Sequence, residues 1–232
     1  MKWHFLILLI AFCSCGNSEK DAGDNLPVEI DFYAAEKKRI YMDELFDKIE
    51  VIPLETTPDC LLQDYPWIAG ITDGNVLMKN DFVGACLFSR KEGRFIHNVG
   101  KKGQGPDEYI LVGGTFCKEK NLMYANRGNT WIGINIETNK VEERVKKPYF
   151  TNLKIAGGVD NPYRLNDSLY MGYINNITGD IKYKIAVFNR NGEAVHLYPN
   201  HLLYPKKNQN EFIYVSGIFY RYKKNCVFIV VL

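Results

Sequence analysis

A short segment rich in glycine and charged residues offers the clearest opportunity for ligand chemistry. It runs from Gly100 to Tyr109 and reads GKKGQGPDEY. A phosphate-binding P-loop also combines glycines with a lysine, but it ends in Lys-Ser/Thr and continues into a helix. Here Pro106 and strand-like residues follow, so nucleotide binding is not expected. The residues predicted to face a ligand are Lys101, Lys102, Gln104, Asp107 and Glu108.

Residues that could bind a metal or act as a nucleophile are scattered along the chain. The four histidines include no pair at the spacing of metal ligands. The cysteines beyond the N-terminal region lack the close spacing of zinc or redox motifs, and their apolar neighbours predict small core residues rather than disulfides. These are Cys60, Cys86, Cys117 and Cys226. No Gly-x-Ser-x-Gly elbow is present. We predict no catalytic residue, no metal ion and no cofactor.

The N-terminal residues have the pattern of an export signal. The apolar run Phe5–Cys13 is too short to span a bilayer but suits a secretory signal. The sequence at its end resembles a bacterial lipobox, which implies that Cys15 receives a diacylglyceryl group and becomes the new N-terminus. Cys15 fits better than Cys13, because the small Ser14 precedes it whereas Phe12 precedes Cys13. An ordinary cleaved signal is the alternative.

These features predict three regions. Residues 1–14 form a signal peptide, residues 15–27 a lipidated N-terminus with a polar, flexible tether, and residues 28–232 the folded domain. Stable anchoring by lipid places the domain at a bacterial cell-envelope membrane; the outer membrane is favoured, and the periplasmic and surface faces stay open. The formal net charge of +2 gives no reason to expect nucleic acid as a partner.

A pattern of short strands and turns recurs along the domain. Each copy has a turn rich in Asp, Asn or Gly, two short strands, and a charged hairpin leading to another strand. One turn residue marks each copy, and successive markers lie 46, 47 and 57 positions apart. The markers are Asn75, Asn121, Ser168 and Asn225. A period of roughly 40–50 residues built from short strands is typical of β-propeller blades. An all-β sandwich is the alternative fold.

The predicted elements follow from this repeat. The strands are Val76–Met78, Ala85–Phe88, Phe95–Val99, Leu122–Tyr124, Trp131–Ile136, Val141–Val145, Leu169–Met171, Lys184–Phe188, Ala194–Tyr198 and Cys226–Val230. Upstream, a further strand is predicted at Ile49–Glu55 and a short helix at Met42–Phe46. Hairpins at residues 91–94 and 191–192 are predicted to join the outer two strands of four-stranded blades, with glycine supplying a positive φ.

Two strings resemble a known family. The segment from Arg94 to Tyr109 is similar to the "IGxxGxGPxEY" pattern of the six-bladed β-propeller lipoproteins of Bacteroidota, which are relatives of NHL-repeat propellers. The residues VIPLETT at 51–57 resemble that family's "xxPLETT" strand. The resemblance covers about Ile49 to Tyr198 and implies a propeller fold at a bacterial envelope. The glycine-rich segment would then be a loop between blades, with Tyr109 packed beneath the next blade, or one wall of a ligand-binding mouth.

Function is less constrained than fold. We expect a membrane-anchored binding or interaction module whose partner is an envelope glycan or protein, because no repeated set of inward-pointing His, Asp, Asn or Glu is apparent. A propeller enzyme of the lactonase, lyase or hydrolase type, with a site in the central channel, is the alternative. A structural role in an envelope complex is also open.

The length bears on the number of blades. Six blades of about 45 residues would need more chain than Ile49 to Leu232 supplies, which is enough for about four. The sequence also ends within the apolar run 226–232, where a strand would leave an open sheet edge. The expectation is therefore an open ring with about four of six blades, from a chain truncated at its C-terminus.

Overall fold

The computed structural model describes residues 39–62, 65–80, 84–113, 115–150, 158–176, 179–201, 203, 216–222 and 225–231. The chain divides into two compact units, Met1–Glu50 and Val51–Leu232. Helix α1 lies in the first unit and spans Met42–Leu45, which confirms the short helix predicted over Met42–Phe46. Within the described ranges, no helix has the length and apolar character needed to cross a membrane.

The second unit is built from antiparallel sheets. The first sheet comprises β1 (Trp67–Ile71), β2 (Asn75–Asn80), β3 (Gly84–Ser89) and β4 (Phe95–Asn98). The second comprises β5 (Phe116–Cys117), β6 (Leu122–Arg127), β7 (Thr130–Asn135) and β8 (Val141–Lys146), with a 3-10 turn at Lys118–Lys120 after β5. The third comprises β9 (Val159–Arg164), β10 (Leu169–Ile174), β11 (Tyr183–Asn189) and β12 (Ala194–Pro199). A two-stranded hairpin, β13 (Ser216–Tyr222) with β14 (Asn225–Val231), follows.

Each four-stranded sheet follows the chain order, so every strand pairs with the one before it. The register between the third and fourth strands shifts in all three sheets, at Leu87/Phe88, Gly133/Ile134 and Val187/Phe188. Such bulges bend a strand and increase its twist. The repeated irregularity gives the three sheets the same local design, in agreement with the repeat read from the sequence.

Successive sheets pack face to face through apolar side chains. Leu77 and Leu87 of the first sheet share a buried cluster with Met123 and Ile132 of the second. The opposite face of the second sheet, including Trp131, shares another cluster with residues of β10 and β11. Because strand side chains alternate between faces, a single sheet can contribute to two clusters. The second sheet is therefore buried on both faces.

A repeated contact links each β-hairpin to the chain segment that precedes its sheet. The tip of the hairpin between the third and fourth strands holds a residue of positive φ: Gly93 at 68°, Asn139 at 57° and Gly192 at 80°. Gly93 O accepts a hydrogen bond from Glu55 N, Asn139 Oδ1 accepts one from Gly100 N, and a Cβ on Gly192 would lie 2.9 Å from Lys147 O. The positive φ predicted for glycine in the first and third hairpins is confirmed, and asparagine, which tolerates this region, supplies it in the second.

Comparison with the predicted elements shows one wrong strand and four strands that were not predicted, β1, β5, β9 and β13. All ten strands of the repeat are present within a few residues of the predicted bounds, but Ile49–Glu55 is not a strand. The part of this segment that belongs to the second unit, Val51–Glu55, lies against the β3–β4 hairpin. There Glu55 N donates a backbone hydrogen bond to Gly93 O. Pro53 has no N–H to donate, so a continuous ladder cannot form through it. The segment instead covers one face of the first sheet with Ile52 and Leu54.

The cysteines bear out the sequence prediction within the described ranges. Cys60, Cys86 and Cys117 are all free thiols, and all three are buried. Burial, followed by the proximity of Cys60, raises the pKa of Cys86 to about 11. These residues therefore act as small apolar core residues. The side chain of Cys226 lies outside the described part of the chain.

Candidate functional site

The glycine-rich loop, defined here as Gly100–Tyr109, leads from the first sheet towards the second. Its two ends are held together because Tyr109 N donates to Lys101 O at 2.9 Å and Gly103 N donates to Tyr109 O at 2.9 Å. The Tyr109 ring is buried in the cluster between the first two sheets, as predicted. Burial raises the pKa of its phenol above the ordinary value. The loop is thus a closed, anchored structure rather than a loose connection.

Glu108 organises the interior of this loop. Its carboxylate accepts a hydrogen bond from Gly105 N at 2.8 Å and forms an ion pair with Lys101 at 2.7 Å. The hydrogen bonds from Lys101 and then from Gly105 hold the pKa of Glu108 below its ordinary value. A Cβ on Gly103 would overlap this carboxylate. Glycine at 103 therefore allows the close approach of the Glu108 carboxylate.

Two arginines fix the loop to the second sheet. Arg127, at the end of β6, donates to Gly105 O at 3.0 Å and to Gln104 O at 3.2 Å. Arg144 of β8 donates to Pro106 O at 3.0 Å and pairs with Asp107. A guanidinium has several donors in a fixed plane, so one arginine can satisfy several turn carbonyls. The loop therefore has its geometry set before any ligand arrives.

The five residues predicted to face a ligand all line surface cavities, but not the same one. Lys101, Asp107 and Glu108 border a cavity of about 550 Å³ that also includes Ile134 and Asn139. Lys102 and Gln104 border a separate cavity of about 440 Å³, together with Arg127. The loop is thus a wall between two cavities. The five side chains are therefore divided between two cavities, and their contact with a ligand stays a prediction.

A second polar cluster joins the second and third sheets, and sequence reasoning missed it. At its centre is Glu143 of β8, whose side chain is only 4% exposed. Its carboxylate accepts hydrogen bonds from Arg164 of β9 at 2.7 Å and from Tyr170 of β10 at 2.7 Å. Tyr124 of β6 donates to the other oxygen, and Arg190 of the β11–β12 turn adds a second cation. We call these residues the Glu143 cluster.

The charges of the Glu143 cluster are stabilised by one another. Burial raises the pKa of Glu143, but hydrogen bonds from Tyr124, Tyr170 and Arg164 outweigh it and leave the pKa below the ordinary value. Burial and then the hydrogen bond to Glu143 raise the pKa of Tyr170 to about 12. Both tyrosines therefore stay protonated and donate. With its acceptors occupied by the protein's own groups, Glu143 is a structural anion and not a free base.

No sequence signal marked this cluster. Glu143 stands in the alternating strand VEERVK, where a carboxylate next to charged neighbours suggests a solvent-facing position. Arg164 is 21 positions away and Arg190 is 47 positions away. Gly133 pairs with Glu143 across β7 and β8 and leaves room for it, because a Cβ there would lie 3.1 Å from Glu143 Cβ.

The remaining candidate residues do not assemble into a reactive centre. Within the described ranges, no three His, Cys, Asp or Glu side chains come together as metal ligands would. His97 and His196 occupy the fourth strands of the first and third sheets. His196 is exposed, whereas His97 is half-buried and its Nδ1 lies 3.0 Å from Asn98 O. Cys15, the predicted lipidation site, lies outside the described residues.

Comparison with solved structures supports the fold. The crystal structure of a "Putative exported protein" from Bacteroides fragilis matches with a TM-score of 0.53 and 17% sequence identity. The match covers 67% of this chain and 43% of the other, so the chain spans less than half of that protein's length. Bacteroides belongs to the Bacteroidota, the phylum of the lipoproteins that the glycine-rich segment resembles.

Comparison by sequence gives the family. No curated protein matches this chain significantly. The profile of the family described as "Domain of unknown function (DUF4934)" matches residues 27–232, which is nearly the whole chain beyond the predicted leader. The protein therefore belongs to the DUF4934 family.

Proposed function

We propose that the protein is a lipid-anchored interaction module of the bacterial cell envelope, built on a propeller of the six-bladed, NHL-like kind. In this proposal the three sheets are consecutive blades, and the β13–β14 hairpin belongs to a fourth. Two observations support radial repetition: consecutive sheets share apolar clusters, and each hairpin tip lies against the segment that precedes its sheet. An anchored, open arrangement of about four blades is thereby proposed for residues 28–232.

The observation that carries the interaction role is the structure of the glycine-rich loop. Lys101 pairs with Glu108 and Asp107 with Arg144, and arginine donors hold the carbonyls of residues 104–106, so the loop is preorganised. All five predicted residues border cavities. A preorganised surface loses little conformational entropy on binding. We propose that the exposed side chains of Lys102 and Gln104 contact an envelope partner, a protein or a glycan.

Site-specific crosslinking tests this role in the native envelope. A photo-crosslinking amino acid replaces Gln104 in the anchored protein, and in a matched control it replaces Lys91, an exposed residue of the β3–β4 turn. We expect a discrete adduct from position 104 and none from position 91. Equal labelling from both positions, or none from position 104, would contradict a loop-mediated interaction.

The anchor is tested separately by lipid labelling. In cells fed a clickable palmitate analogue, the wild-type chain and the Cys13→Ser variant are expected to carry label, whereas Cys15→Ser is expected to lose it completely and to leave the membrane fraction. The reason is that the Cys15 thiol is the proposed acceptor of the diacylglyceryl group, and stable anchoring needs more than one acyl chain. Label retained in Cys15→Ser would rule out this anchor.

A further inference from the structure

A third cavity lies where the second and third sheets meet, away from the glycine-rich loop. Its volume is about 600 Å³, within the range of about 300–1,000 Å³ that small-molecule sites occupy. The β6–β7 turn, the residues after β8, the start of β9 and the β11–β12 turn all contribute to its wall. The side chains used below are Asn129, Lys147, Tyr149 and Asp160. We call it the inter-sheet cavity.

Two opposite charges face this cavity without bonding to each other. Lys147 Nζ donates to Asn126 Oδ1 at 3.0 Å and lies 5.2 Å from the centre of the Trp131 ring. Asp160 is the acidic residue of β9 and borders the same cavity. Burial lowers the pKa of the half-buried Lys147, whereas the side chain of Asp160 is exposed at the cavity. A ligand with both donors and acceptors could bond to both groups.

Tyr149 adds an aromatic surface at the same place. It is 85% exposed, although a tyrosine ring carries a large apolar area that proteins ordinarily cover. Asn129 of the β6–β7 turn contributes an amide, which can both donate and accept. An exposed ring beside a carboxylate, an ammonium and an amide matches a sugar, since sugars have an apolar C–H face and a rim of hydroxyl groups.

We propose that the inter-sheet cavity binds a short oligosaccharide, with one sugar ring stacked on Tyr149 and its hydroxyl groups bonded to Asp160, Lys147 and Asn129. A hydroxyl donates to Asp160 and another accepts from Lys147, which gives the ligand two charge-assisted hydrogen bonds. A free anion fits less well, because the Asp160 carboxylate faces the same space. The site is distinct from the glycine-rich loop and does not depend on where the chain is anchored.

Calorimetric titration of the purified full chain tests the proposal. The chain is kept in a detergent without sugar headgroups, and the probes are maltohexaose, xylohexaose, chitohexaose and inorganic phosphate. We expect at least one hexasaccharide to bind with a Kd of roughly 1 mM or tighter, and Tyr149→Ala and Asp160→Ala each to weaken it about tenfold. Tyr198→Ala, which removes an exposed tyrosine of β12, is the matched control and is expected to leave Kd unchanged.

Each contrary outcome overturns the proposal. The first is no binding of any hexasaccharide at 10 mM or above, which is roughly ten times the expected Kd. The second is hexasaccharide binding that persists in both Tyr149→Ala and Asp160→Ala. The third is binding of inorganic phosphate but of no hexasaccharide. Circular dichroism of each variant confirms that the fold is retained. The glycine-rich loop is unchanged in all of these variants. A negative titration would therefore overturn the oligosaccharide proposal without affecting the crosslinking test at position 104.

Discussion

Replacing Glu143 with glutamine is expected to destabilise the protein by about 1–3 kcal/mol, since buried donors lose their charged acceptor. The buried cation left behind is Arg164, whose side chain is only 8% exposed and which keeps its ion pair with the exposed Asp167. Glutamine keeps the shape of the side chain, so the loss reports charge and hydrogen bonding rather than packing. The free energy of unfolding from urea denaturation measures the effect.

The matched control is Glu142→Gln, the adjacent residue on β8. Glu142 is exposed, and its bond to Thr138 is long at 3.5 Å, so we expect a change within about 0.5 kcal/mol. If Glu143→Gln were as mild as this control, the Glu143 cluster would contribute no net stability and the two sheets would be held by apolar packing alone.

The pH dependence gives a second readout of the same residue. The folded pKa of Glu143 is depressed, so its contribution is fully present above the unfolded pKa of about 4.3 and is lost as pH falls through the folded pKa. The stability difference between wild type and Glu143→Gln should therefore narrow on acidification. A difference that stayed constant down to the folded pKa would contradict an ionised Glu143.

Substitution of Gly93 by alanine is expected to produce the other large loss of stability. Its φ of 68° costs a residue with a Cβ about 1–2 kcal/mol, and the Cβ would also overlap Pro53 O. Relief of the overlap by movement of the backbone adds about 1–3 kcal/mol. The same displacement would lift the segment that covers the first sheet, so we also expect faster labelling of Cys60 by a maleimide.

Gly128→Ala separates the two causes. Gly128 has a φ of 60°, but a Cβ there meets nothing within 4 Å, so this variant carries the conformational cost alone. We expect it to be less destabilised than Gly93→Ala and to protect Cys60 as the wild type does. Equal losses in the two variants, with equal thiol labelling, would show that the contact between the hairpin tip and Pro53 is unimportant.

Local patterns account for the success of the strand predictions. The second, third and fourth strands of each sheet are marked by apolar runs and by turn residues, and both signals lie within a few positions of the strand itself. The first strands are different. β5 has two residues, and β9 reads VDNPYR, with a proline tolerated because β9 is the edge strand of its sheet. Their strand conformation depends on the neighbour they pair with.

The glycine-rich loop was found from sequence because its residue types are contiguous. The division of its five residues between two cavities could not be predicted from the sequence, because it depends on hydrogen bonds that Arg127 and Arg144 of the second sheet donate to the loop. The same limit applies to the role of Gly103, since the close approach of Glu108 follows from how the loop closes. Residue types identified the loop, whereas the direction of each side chain depends on the tertiary structure.

The sequence by itself determined the repeat, most of the strands, the hairpin tips and the burial of the cysteines, because each depends on interactions among residues close together in the chain. The tertiary structure decided the Glu143 cluster, the covering of the first sheet by Ile52 and Leu54, and the inter-sheet cavity. These depend on contacts between segments that are far apart in the chain. A hydrophobic pattern fixes which face of a strand is buried, but not which residue of another sheet it meets there.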